Sequence, residues 1–88
     1  MKNLKIKICG ITDLATANFC INKKVNYLGF VFYEPSPRNI SIDNANIILG
    51  DIGNKINRVA VTNNPSDSLL SLLKSLPFEY LQVHGNIS

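Results

Sequence analysis

The sequence predicts a parallel α/β fold built from repeated strand and helix units. Three observations carry that expectation. Runs of period-two or continuous apolar character alternate with stretches of helical spacing. The repeating units are roughly 20 to 30 residues long, as parallel strands joined by right-handed crossovers require. The chemically distinctive side chains all follow the C-terminal ends of the strand-like runs, the edge where parallel α/β folds bind ligands.

The first unit opens with Leu4 to Cys9 (LKIKIC), which alternates with period two and is read as a strand. Gly10 ends it, Thr12 is the expected N-cap and Asp13 supplies first-turn negative charge. Leu14, Ala17 and Ile21 then share a helical face with Cys20 beside them, and Lys23 and Lys24 suit a last turn. Tyr27 to Phe32 (YLGFVF) is a continuous apolar run, the pattern of a strand covered on both faces. A turn-rich YEPSPRN loop follows, after which Ser41 is a helix N-cap and Ile42, Ala45, Ile48 and Leu49 fall at helical spacing. Gly50 to Asn57 reads as a polar break, and Arg58 to Thr62 (RVAVT) as the third strand. Asn64-Pro65 is expected to open the third helix with proline at its first position, and Leu69, Leu70, Leu73 and Leu76 form its apolar face. Pro77 stops it, and Glu79 to Val83 (EYLQV) is the fourth strand, leading into His84-Gly85.

The chain's 88 residues suffice for a single small domain, 1–88, with a modest core. At 45% hydrophobic and 17% charged residues the composition is that of a soluble globular protein, without a membrane span. MKNLKIKIC does not resemble a signal peptide, so the cytoplasm is the expected compartment. The net charge of +3 is scattered, with only Lys23 and Lys24 adjacent, which argues against nucleic acid as a partner. Cys9 and Cys20 are too few for a disulfide scaffold and too far apart for a CxxC motif.

Four motifs at four successive strand ends, KICGIT, GFVFYEPSPRNIS, RVAVTNN and LQVHG, resemble the first half of the phosphoribosylanthranilate isomerase family, in order and with its spacing. The resemblance implies half of a TIM (β/α)8 barrel, with four strands and three helices, belonging to a longer or assembled barrel. It implies an Amadori rearrangement of N-(5-phosphoribosyl)anthranilate in tryptophan biosynthesis, with no metal or organic cofactor. In that mechanism an acid opens the ribose ring and a base removes a proton from the neighbouring carbon. By resemblance Cys9 is the base and Arg38 of the SPR loop holds the anthranilate carboxylate. The general acid and the phosphate-binding loops belong to later strands and have no counterpart here, so the isolated half is expected to be inactive.

Each candidate also has a plainer reading. Free cysteines are usually small buried hydrophobes, yet Cys9 precedes Gly10 at a strand end beside a helix N-terminus, where a thiolate is favoured. Cys20 lies mid-helix and keeps the packing role. Arg38 could be a solvated loop charge, although Pro35 and Pro37 stiffen the loop that carries it. Gln82 and His84 share strand parity and are expected to line the pocket. If Cys9 faces the barrel interior, so do Lys7 and Lys5, with no obvious inward counter-charge.

A four-stranded half-barrel would expose an inner face bearing Phe30, Phe32 or their alternates, together with two unpaired edges. Self-association or a complementary half-barrel is therefore expected, beside a small phosphorylated substrate. A noncatalytic half-barrel that binds or assembles with a partner is the alternative. A flavodoxin-like phosphate binder ranks last, because no GxGxxG loop follows any strand.

Overall fold

The structure is a computed structural model and describes residues 4–85. Strands β1 (Lys7–Cys9), β2 (Tyr27–Phe32), β3 (Asn57–Asn63) and β4 (Tyr80–His84) alternate with helices α1 (Leu14–Asn22), α2 (Ile42–Ile52) and α3 (Asp67–Lys74). All neighbouring strands are parallel and the sheet order is β1-β2-β3-β4, the order of the chain. Because every crossover advances by one strand in the same direction, one face of the sheet receives the helices. Leu28, Phe30, Phe32 and Ala60 pack there against Ala17, Cys20, Ala45, Ile48, Leu49, Ile52 and Leu73, forming the principal core. A doubly wound sheet would reverse strand order at a switch point; this one does not.

The opposite face carries the alternate residues. Val31, Val59 and Val61 form a small cluster against Tyr27. Phe30 and Phe32 thus belong to the helix layer, and their alternates Gly29 and Val31 face inward. Tyr27 and Tyr80 meet edge to face across β3, with centroids 5.6 Å apart, and Lys7 of β1 reaches Gln82 of β4. In a flat sheet β1 and β4 would lie about 14 Å apart, so this face is concave.

Helix boundaries follow the capping side chains. Asp13, not Thr12, caps α1: its carboxylate accepts from the Thr16 backbone N–H at 2.7 Å and from the Thr16 hydroxyl at 3.1 Å. These bonds hold the Asp13 carboxyl below its ordinary pKa, the backbone bond being the larger cause. Lys23 is the C-cap and Lys24 lies past the helix at φ 61, so neither lysine is in the last turn. Ser41 caps α2 as expected, accepting from Asn44 N–H at 3.1 Å, but the helix runs through Gly50 to Ile52, which is fully buried. Burial of Ile52 outweighs the weak helix propensity of one glycine. Ser66, not Asn64, caps α3 by accepting from Leu69 N–H at 3.1 Å. Pro65 therefore precedes the helix, and Asn64 takes φ 47 before it. β1 is shorter than the LKIKIC alternation, since only Lys7 to Cys9 pair with β2.

At the N-terminal ends of β3 and β4, Glu79 closes the helix-side face. Its Oε1 accepts from the Arg58 backbone N–H at 2.8 Å and from Nε at 3.0 Å, and its Oε2 from Nη2 at 2.5 Å.

Candidate functional site

The C-terminal ends of the strands form one rim. At the end of β1 the Gly29 carbonyl accepts from both Gly10 N–H, at 2.9 Å, and Ile11 N–H, at 3.0 Å. Cys9 is left exposed with a free thiol. Its sulfur lies on the concave face over Gly29: a Cβ on that glycine would sit 3.0 Å from Cys9 Sγ and 3.2 Å from Lys7 Cε. A glycine inside a strand marks such a close approach, and this signal was present in YLGFVF.

Gly10 has φ +90, and a Cβ there would overlap Arg38 Cδ and lie 3.1 Å from its Cγ. The Arg38 stem thus rests on the residue that directly follows Cys9. The loop is held by hydrogen bonds within itself. Ser36 N–H donates to the Tyr33 carbonyl at 3.0 Å, Ser36 Oγ accepts from Arg38 N–H at 3.1 Å, and Asn39 Oδ1 accepts from Tyr33 N–H at 2.8 Å. Asn39 also forms an isolated parallel bridge to Val31, which lays the end of the loop alongside β2. Sequence reasoning overlooked Asn39, although asparagine beside a turn commonly ties down backbone in this way.

Gln82 and His84 also face the concave side, opposite Val61 and Asn63. Gln82 Nε2 lies 2.7 Å from His84 Nε2, and Gln82 Oε1 accepts from Lys7 Nζ. The inward-facing partner of Lys7 is thus a neutral amide. Lys5 stays exposed before the ladder begins. The ends of β3 and β4 are pinned by Asn64 N–H donating to the His84 carbonyl at 2.9 Å, while Gly85, at φ +107, leaves room for Asn64 and Asn63 side chains. The structure therefore sets the Arg38 stem on Gly10, next in sequence to Cys9, places Cys9 Sγ and the Lys7 side chain over Gly29, and joins Lys7 through Gln82 to His84.

A cleft of about 500 Å³ opens at the same rim between the loops after β2 and β3, lined by Phe32, Ile40, Asn64 and Leu69 among others. Neither Cys9, Arg38, Gln82 nor His84 lines it; Cys9, Gln82 and His84 lie on the concave face instead. Among the described residues no group of three His, Cys, Asp or Glu is placed to hold a metal ion, and no helix is long and apolar enough to cross a membrane.

A parallel sheet wound in chain order, with helices on one face and polar side chains collected at the C-terminal rim of the other, defines half of a (β/α)8 barrel. The family described as N-(5'phosphoribosyl)anthranilate (PRA) isomerase matches residues 6–88, and the chain belongs to that family. It is 36% identical to the N-(5'-phosphoribosyl)anthranilate isomerase of Legionella pneumophila (strain Paris) over 97% of its own length and 42% of that protein. Among solved structures it is similar to monomers of the dimeric enzyme of Thermotoga maritima, with a TM-score of 0.86 and 34% identity, over 97% of this chain and 43% of that one. A phosphoribosylanthranilate isomerase in complex with reduced 1-(o-carboxyphenylamino)-1-deoxyribulose 5-phosphate matches with a TM-score of 0.88 and 32% identity, over 97% of this chain and 44% of the other. The chain thus spans somewhat under half the length of the relatives it matches.

Proposed function

We propose that this chain contributes the N-terminal half of a phosphoribosylanthranilate isomerase site, supplying the base and the aromatic-acid anchor for the rearrangement of N-(5-phosphoribosyl)anthranilate to 1-(2-carboxyphenylamino)-1-deoxyribulose 5-phosphate. The observation that carries this reading is the packing of the Arg38 stem on Gly10, directly after Cys9. In the substrate the carboxylate is ortho to the nitrogen, and the carbon that loses its proton lies only two bonds beyond that nitrogen. Anchor and base must therefore be near neighbours. Arg38 grips the carboxylate through its planar fork, the Cys9 thiolate takes the proton, and Gln82 and His84 line the pocket. The acid that opens the ribose ring and the phosphate site come from outside these strands, so the half alone is inactive.

The open edges support assembly as part of the same reading. β1 and β4 bound the sheet, and apolar side chains stand exposed at both: Ile6 and Ile8 at one, Tyr80 and Leu81 at the other. A second copy or a complementary half set with its first strand beside β4 would continue the parallel order and pair the open edge. The test is an isomerase assay on the chain alone and on the chain supplemented with the C-terminal half of a relative. Activity is expected only in the mixture, with Cys9→Ser lowering kcat about 100-fold or more. No activity in any mixture, together with unchanged behaviour of the serine variant, would leave the noncatalytic assembly module as the better description.

A further inference from the structure

We propose that Lys7 is a positioning residue: by donating to Gln82 it sets the orientation of that amide, and the amide in turn holds His84 as the neutral tautomer protonated on Nδ1. The proposal follows from donor and acceptor inventory alone. A lysine ammonium has three donors and no acceptor, so the atom of Gln82 that faces Lys7 Nζ must be the carbonyl oxygen. The amide then has only its NH2 group left to turn toward His84, and the two nitrogens are 2.7 Å apart. An NH2 can only donate, so His84 Nε2 must accept and the ring proton resides on Nδ1. Free histidine prefers the other tautomer, which makes the assignment a distinctive one.

Lys7 reaches Gln82 across a glycine. Gly29 lies beneath, with Lys7 Cε 3.2 Å from where its Cβ would be, and the concave sheet brings β4 toward β1. For the pocket proposed above, and resting on that reading, the consequence is that His84 offers a ligand oxygen a hydrogen-bond donor at Nδ1. Lys7 thus acts on His84 through Gln82.

The measurement is the ¹⁵N spectrum of His84 in the full 88-residue chain, labelled on its ring nitrogens, at a pH where the imidazole is neutral. It is independent of enzymatic activity, so its outcome and that of the isomerase assay are separable. The wild type is expected to show a pyrrole-type shift at Nδ1 and a pyridine-type shift at Nε2. Gln82→Glu, which keeps the shape but presents only acceptors, should exchange the two shifts. Lys7→Met should restore a mixture of tautomers, and Lys7→Arg, again donor only, should retain the wild-type pattern. A wild type protonated on Nε2, or a pattern indifferent to Gln82→Glu, overturns the proposal. The wild-type spectrum decides the tautomer, and a folded Lys7→Met chain that keeps the wild-type pattern overturns the part assigned to Lys7; should that variant not fold, loss of the pattern in Lys7→Arg overturns it instead.

Discussion

Replacing Glu79 by glutamine tests how far one side chain couples β3 to β4. The carboxylate receives three donors from Arg58, at 2.8, 3.0 and 2.5 Å. The Arg58 side chain is 9% exposed and that of Glu79 36%. Glu79→Gln keeps the volume and one acceptor but turns an NH2 toward Nη2, so two donors confront each other over a buried guanidinium. Breaking a fully buried pair costs about 3–5 kcal/mol. Here the open carboxylate end lets water reach the cation, and about 2 kcal/mol is the expected loss. That is roughly a 30-fold change in the folded to unfolded ratio and, for a chain of this size, about 8–16 °C in Tm. The pH dependence follows from the same contacts. Hydrogen bonds from Arg58 hold the Glu79 carboxyl below its ordinary value of 4.5, against a smaller opposing effect of burial. Because the folded pKa is depressed, the stabilisation is complete above the unfolded value and is lost as pH falls through the folded one. The wild type should therefore lose its advantage over Glu79→Gln progressively in acid. Urea denaturation followed by circular dichroism across that range, at fixed protein concentration because association would shift the midpoint, is the assay. A gap below about 0.5 kcal/mol at neutral pH, or one that persists unchanged in acid, would refute the reasoning.

Two further outcomes follow from the rim. Gly10→Ala places a methyl against Arg38 Cδ at a backbone φ of +90; it should cost about 1–2 kcal/mol of stability and, in the complemented isomerase assay, raise KM more than it lowers kcat because Arg38, the proposed anchor, is displaced. Cys9 is exposed whereas Cys20 is 5% exposed, so native alkylation read by mass spectrometry should label Cys9 at least about 100-fold faster, Cys20 reacting only through opening of the fold; equal rates would mean that the helix layer is not closed over α1.

The order of elements was legible because each strand run is bounded by turn residues and each helix carries an apolar stripe. Ser41 was legible as a cap for the same local reason. What the sequence left open depends on contacts distant along the chain. YLGFVF is apolar at every position, so periodicity cannot say which parity meets the helices; only the placement of Cys9 and Lys7 over Gly29 decides it. Glu79 and Arg58 are 21 residues apart and meet only because a crossover sets β3 beside β4. Asp13 displaced Thr12 as a cap since a carboxylate can serve both the backbone N–H and the hydroxyl of Thr16. The Lys7–Gln82 contact spans 75 positions and requires the curvature of the whole sheet, which no local pattern encodes. Cys9 and Arg38, by contrast, could be marked as candidates because the strand ends that carry them are local features.

On the proposed reading, the two ends of the strands divide the labour between stability and chemistry. Toward the N-terminal ends lie Glu79 with Arg58 and the Tyr27–Tyr80 pair, each joining strands; toward the C-terminal ends lie the exposed thiol, the SPR loop and His84. Conservation of fold and conservation of chemistry would therefore act on different residues of the same strand. The concave face between them is only half supplied: the cluster of Val31, Val59 and Val61 meets Tyr27 but has no opposing layer among the described residues, whereas a barrel interior is filled by side chains from alternate strands around the full circle. Lys7 stretched across Gly29 to Gln82 is a polar tie over that opening. A second set of strands closing the circle would bury this tie and raise the cost of leaving any of its donors unmatched, so the orientation of the Gln82 amide would be held more firmly in the assembled barrel than in the half.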